Sequence, residues 1–138
     1  MLNRKCEEYG GGILHVVMVE DNELNAELAC DLLELAGHRV TVVGDGTAFR
    51  ALVEQDVHVD IFLLDLLLPD ADGRDLLREL RTRGRHEGVP AVALTAQALR
   101  GDAERLLDEG FDAVLNKPID TRSFAAAVAK LAASGRRR

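Results

Sequence analysis

Short apolar runs alternate with helical periodicities along this chain, five times in succession, and that alternation constrains the fold more than any other feature. Ile13–Val19 is continuous apart from His15, and Arg39–Val43 is rich in β-branched residues. Asp60–Asp65, Val89–Leu94 and Asp112–Leu115 are equally short, with apolar interiors. Unbroken runs of this length read as strands buried on both faces. After the first run, Leu24, Leu28, Leu32 and Leu35 recur at spacings of four, four and three. That predicts a helix with one apolar face, capped by Asn22 and stopped by Gly37. Further helices are predicted over Ala48–Gln55, around Leu76, Leu77 and Leu80 up to Gly84, over Gly101–Glu109, and around Phe124, Val128 and Leu131. Five such βα units imply an α/β domain, a five-stranded parallel sheet sandwiched between two helical layers.

The 138 residues suit one domain. We read 1–12 as a flexible N-terminal tail, 13–133 as the domain and 134–138 as a basic C-terminal tail. The Met1 tail points to a whole gene product rather than an excised domain. The net charge of −7 disfavours a nucleic-acid partner, and the Arg136–Arg138 tail reads as a solvated end. No membrane insertion is expected, because the apolar stretch Ile61–Leu68 is short and broken by Asp65. Arg4, Lys5, Glu7 and Glu8 occupy the place of a signal-peptide core. Cys6 and Cys30 make neither a disulfide framework nor a zinc site, and read as reduced thiols of a cytoplasmic protein. His15, His38, His58 and His86 show no metal spacing.

Polar residues stand at the carboxyl ends of the apolar runs. Glu20 and Asp21 follow the first, Asp65 ends the third, Thr95 follows the fourth and Lys117 the fifth. In an open parallel sheet those ends face one edge, where ligands bind. Three carboxylates would gather there against one ammonium. Two like charges about 4 Å apart repel by about 1 kcal/mol in water and about 4 kcal/mol at an intermediate dielectric. Carboxylates left uncompensated, without histidine or thiolate, call for a hard divalent cation, and Mg²⁺ is the expected one. A metal on one side with a hydroxyl and an ammonium on the other suits a phosphoryl group, and one carboxylate then serves as nucleophile.

Val19-Glu20-Asp21-Asn22, the segment Asp65 to Gly73, Thr95-Ala96 and Lys117-Pro118 together resemble the receiver domains of two-component response regulators. The resemblance spans roughly residues 13 to 133. It is similar to single-domain receivers of the DivK and CheY type and to receivers of hybrid histidine kinases. The resemblance implies a flavodoxin-like (βα)5 fold with strand order 2-1-3-4-5. It implies Asp65 as phosphoacceptor, and Mg²⁺ held by Glu20, Asp21, Asp65 and the backbone carbonyl of Leu67. Thr95, Ala96 and Lys117 would then receive the phosphoryl group, beside a cis bond at Pro118. The donor would be the phosphohistidine of a sensor histidine kinase or histidine phosphotransfer protein. A downstream protein would read the helix 4–strand 5–helix 5 face. The chain would promote only its own phosphorylation and dephosphorylation. One position departs from the family: Val114 stands three residues before the lysine, where the family carries a rotating aromatic or histidine. Leu67 and Gln97 occupy positions that tune phosphoryl lifetime in the family.

Two rival readings use the same residues. A Mg²⁺-dependent phosphohydrolase with an aspartate nucleophile generally needs a carboxylate two residues after it, where this chain has Leu67. A pseudo-receiver used only for docking has no need of the acidic pair, Asp65, Thr95 and Lys117. Asp70 and Asp72 are expected to serve the loop and the start of the third helix.

Overall fold

The computed structural model describes residues 13–82, 86–96 and 102–136. The elements alternate as β1 (His15–Val19), α1 (Glu23–Leu35), β2 (Arg39–Val43), α2 (Gly46–Val53), β3 (Ile61–Asp65), α3 (Gly73–Thr82), β4 (Ala91–Thr95), α4 (Asp102–Asp108), β5 (Ala113–Asn116) and α5 (Phe124–Ser134). The strands form one parallel sheet in the order β2-β1-β3-β4-β5. This is the order expected for a flavodoxin-like fold. Residues 1–12, 137 and 138, and Gly84, Gln97 and Gly101, lie outside the described residues.

The three central strands are apolar on both faces because both faces are covered. Val17, Val19, Phe62, Leu64, Ala91 and Ala93 pack with Phe49 of α2, Leu76, Leu77 and Leu80 of α3 and Leu106 of α4. Their neighbours Val16, Met18, Ile61, Leu63, Val92 and Leu94 pack with Ala29 and Leu33 of α1 and Phe124 and Val128 of α5. Alternate side chains of one strand thus build two separate cores. Phe62 is the centre of the first, edge-on to both Phe49 and His86.

The helix faces follow less directly from spacing. In α1 the fully buried residues are Ala29 and Leu33, whereas Leu24 is 77% and Leu35 86% exposed. Of the expected stripe, Leu28 and Leu32 are half-buried and Leu32 packs against the core, while Leu24 and Leu35 lie off the docking face. At about 100° per residue, Leu35 lies about 160° around the helix from Leu33. The small Ala29 lets the helix approach the sheet, and the leucines at its ends face solvent. Helix α2 begins at Gly46, two residues ahead of expectation, because Asp45 caps it by accepting from the Ala48 amide at 2.8 Å. Strand β4 starts at Ala91, two residues later than expected. The Val89 carbonyl instead accepts from Arg81 Nη1 at 2.7 Å. Asp112 precedes β5 because its carboxylate accepts from the Ala91 amide and Arg81.

Asp70 serves the loop by reaching across to α2. Its carboxylate accepts from the Gly46 and Thr47 amides and from Thr47 Oγ1, tying the β3–α3 loop to the start of α2. Asp72 does serve the start of α3, accepting from the Arg74 amide at 2.8 Å. The four histidines hold structure: His15 bonds His58 O and Thr41 Oγ1, and His38 Nδ1 accepts from the Leu14 amide.

Candidate functional site

The parallel ladder carries four separated segments to one edge of the sheet. Glu20 extends β1, its amide donating to the Val43 carbonyl at 3.0 Å. Asp65 is the last residue of β3 and Thr95 the last of β4. The Lys117 amide donates to the Thr95 carbonyl at 2.9 Å, which registers the end of β5 on β4. The acidic, hydroxyl and ammonium residues singled out from the sequence therefore meet.

Lys117 stands at the centre. Its Nζ lies 2.7 Å from Glu20 Oε1 and 2.9 Å from Asp65 Oδ2. Glu20 is 2% and Asp65 5% exposed, so both carboxylates depend on this ammonium for compensation. Asp65 Oδ1 accepts from the Leu67 amide at 3.1 Å, which orients the carboxylate. Glu20 Oε2 accepts from the Asn22 amide at 3.1 Å. Asn22 itself caps α1, with Oδ1 accepting from the Asn25 amide at 3.0 Å.

Burial pushes the Glu20 carboxyl up, against the lowering pull of Lys117 and the Asn22 amide. Burial pulls the Lys117 ammonium down, but Glu20 and Asp65 outweigh it and hold the ammonium above its ordinary value. The lysine is charged throughout the physiological range. Asp21 is exposed beside this pair. Glu20, Asp21 and Asp65 each offer a carboxylate oxygen within 4.8 Å of the others. Glu20 Oε1 is buried and ion-paired, yet makes no well-aligned hydrogen bond. Three convergent hard oxygens, one of them short of a hydrogen-bond donor, fit a small divalent cation.

Leu67 projects its side chain into solvent, and its backbone pairs with Asp72 in an isolated bridge. Gly73 closes that loop: a Cβ there would land on the Asp65 carbonyl and within 3.0 Å of Leu66 Cα. Only glycine lets α3 begin this close to the end of β3. Ala96 is exposed, Pro118 follows a cis bond, and Val114 is half-buried against the core beneath β4 and β5. A cleft of about 280 Å³ opens from Asp65, Thr95, Ala96 and Lys117. It runs on to Arg74 at the start of α3 and to Asp102 and Leu106 of α4. These last three were not singled out from the sequence. For Arg74 there was a signal: a cation in the first turn of a helix opposes the helix dipole.

A family model described as Response regulator receiver domain matches residues 16–129. The chain is 35% identical over 109 residues to the polar-differentiation response regulator DivK of Brucella ovis, covering 79% of this chain and 88% of that protein. Among solved structures, it is similar to the receiver domain of sensor histidine kinase PA1611 from Pseudomonas aeruginosa PAO1, which has a magnesium ion coordinated in its active-site cleft. That likeness has a TM-score of 0.78 at 33% identity, covering 88% of this chain and 99% of the other. Chemotaxis response regulator CheY4 of Vibrio cholerae shares the fold, with a TM-score of 0.79 at 18% identity over 86% of this chain and 98% of its own. By its strand order, its strand-end residues and these matches, the chain belongs to the response regulator receiver domain family.

Proposed function

We propose that Asp65 accepts a phosphoryl group from the phosphohistidine of a sensor histidine kinase or histidine phosphotransfer protein in the cytoplasm. The observation that carries this reading is the Lys117 ammonium, held between the Asp65 and Glu20 carboxylates at the strand ends. An Asp65 oxygen forms the new O–P bond as the P–N bond to the donor imidazole breaks, and the imidazole keeps the electron pair. Lys117 then faces the transferred phosphoryl oxygens from one side, with Thr95 and Ala96 at the mouth. The Leu67 amide keeps the carboxylate oriented for in-line attack.

Glu20, Asp21, Asp65 and the Leu67 carbonyl are the residues that would hold Mg²⁺. Bound there, it offsets negative charge on the phosphoryl oxygens. The protein promotes only its own phosphorylation and dephosphorylation, and a downstream protein reads α4, β5 and α5.

Incubation with Mg²⁺ and acetyl phosphate is expected to add one phosphoryl mass, in a base-labile form, with Asp65→Asn adding none. Equal adduct on Asp65→Asn would remove Asp65 from the reaction. Steady turnover of small phosphate esters would favour the phosphohydrolase reading.

A further inference from the structure

We propose that Arg74 reports the state of Asp65 to α4, pairing with Glu109 when Asp65 is unmodified and with the phosphoryl oxygens when it is phosphorylated. This inference rests on Asp65 being the phosphoacceptor. The cleft that opens at Asp65, Thr95 and Lys117 continues between α3 and α4, and Arg74 lines it. Among the described residues of that lining there are two cations, Lys117 and Arg74. Lys117 is already engaged by two carboxylates. Arg74 is paired with two carboxylates outside the acidic cluster. Its Nε donates to Glu109 Oε1 at 2.7 Å, and its Nη1 lies 3.5 Å from Asp72 Oδ2. Glu109 is bound into the end of α4, its amide donating to the Arg105 carbonyl at 3.0 Å. One side chain thus joins the phosphoryl cleft to the far end of α4.

The chemistry favours a change of partner. The Arg74 side chain is 35% exposed, which leaves it room to rotate. A guanidinium presents a planar fork of donors that matches phosphate oxygens in pairs. A phosphoryl group carries about twice the charge of the Glu109 carboxylate and arrives in the cleft that Arg74 lines. Losing Arg74 releases Glu109, and with it the end of α4, from α3. Val114 cannot swing as an aromatic would, so an electrostatic link of this kind supplies the coupling that position lacks.

The test is calorimetric titration of beryllofluoride, a phosphoryl stand-in, in saturating Mg²⁺. Arg74→Ala is expected to weaken binding by about fivefold, and Glu109→Gln to tighten it by a similar factor, because a competitor is removed. The double variant should match Arg74→Ala, and Arg74→Lys should lie between it and the wild type. Amides of Leu106 and Leu107 in ligand-free Glu109→Gln should exchange hydrogen as fast as in beryllofluoride-bound wild type. If both single variants shift affinity in one direction, or neither shifts it, the change of partner is overturned while the phosphoacceptor reading stands. If the wild type itself binds no beryllofluoride, the phosphoacceptor reading fails, and this inference with it.

Discussion

At the scale of single residues, the site is governed by one lysine compensating two buried carboxylates. Lys117 is 16% exposed by side chain, and the Glu20 side chain is fully buried. Removing the ammonium leaves buried charge unpaired, which is far more destabilising than losing a surface ion pair. Lys117→Ala is expected to lower unfolding free energy by about 3 kcal/mol in EDTA. In Mg²⁺ the loss should be smaller, since the variant's site, more negative by one charge, binds the cation more tightly and gains more stability by mass action. Urea titrations in the two buffers check this, and equal losses would show that the lysine acts through packing instead. Glu20, Asp21, Asp65, Thr95 and Lys117 were all legible in the sequence, because a charged or hydroxyl group ending an apolar run is conspicuous. For Arg74 the mismatch with the helix dipole was a signal, but its partners in the fold, Glu109 and the cleft, are remote in sequence.

Elements show where one-dimensional pattern succeeds and where it misleads. Strands β1, β3 and β4 could be read from continuous apolarity, since both of their faces are buried. A helix buries only one sector, and leucine spacing alone placed it off-centre in α1: Leu32 packs on the core, but Leu24 and Leu35 face solvent. Leu33→Ala is expected to reduce stability by about 2–5 kcal/mol, as loss of a packed core leucine does. Leu35→Ala should stay within about 0.5 kcal/mol of wild type. Chemical denaturation of the two variants compares the faces directly, and a larger loss at Leu35 would restore the predicted stripe. Cap placement follows the same logic. Asp45 lies three residues before Ala48, a local cap signal that the helix reading did not use, but Asp70 reaches Gly46 only because the sheet sets β3 beside β1, the neighbour of β2.

Over the whole molecule, the sheet separates two kinds of polar cluster. The carboxyl edge holds the acidic site, while the amino edge holds His15, His58 and Asp60 in a hydrogen-bonded group, with His38 bonded separately to the Leu14 amide. His38 Nδ1 accepts from the Leu14 amide at 3.1 Å, so protonating that nitrogen breaks the bond. Burial pulls the His38 imidazole below its ordinary value, only partly offset by Asp60. The unfolded chain therefore binds a proton at about pH 6.5 that the folded chain resists. Stability from this group is present above that pH and is lost as pH falls from there towards the lower folded value. The urea midpoint should decline from about pH 7.5 to about pH 5.5, and less steeply in His38→Asn, whose amide oxygen can accept the same bond at any pH. Parallel slopes would assign the decline to other groups.

The sequence by itself determined the alternation of elements, the class of sheet and the chemical types gathered at its carboxyl edge. Those follow from local composition: a strand buried on both faces must be apolar throughout, and a polar residue at its end is then exceptional. Tertiary structure alone decided that Lys117 bridges Asp65 and Glu20, that α1 docks through Ala29 and Leu33, and that Arg74 joins the cleft to α4. Each of these depends on distances of a few ångströms between segments far apart in the chain. Such distances are fixed by how helices rotate and settle on the sheet, and no local pattern of residues encodes that.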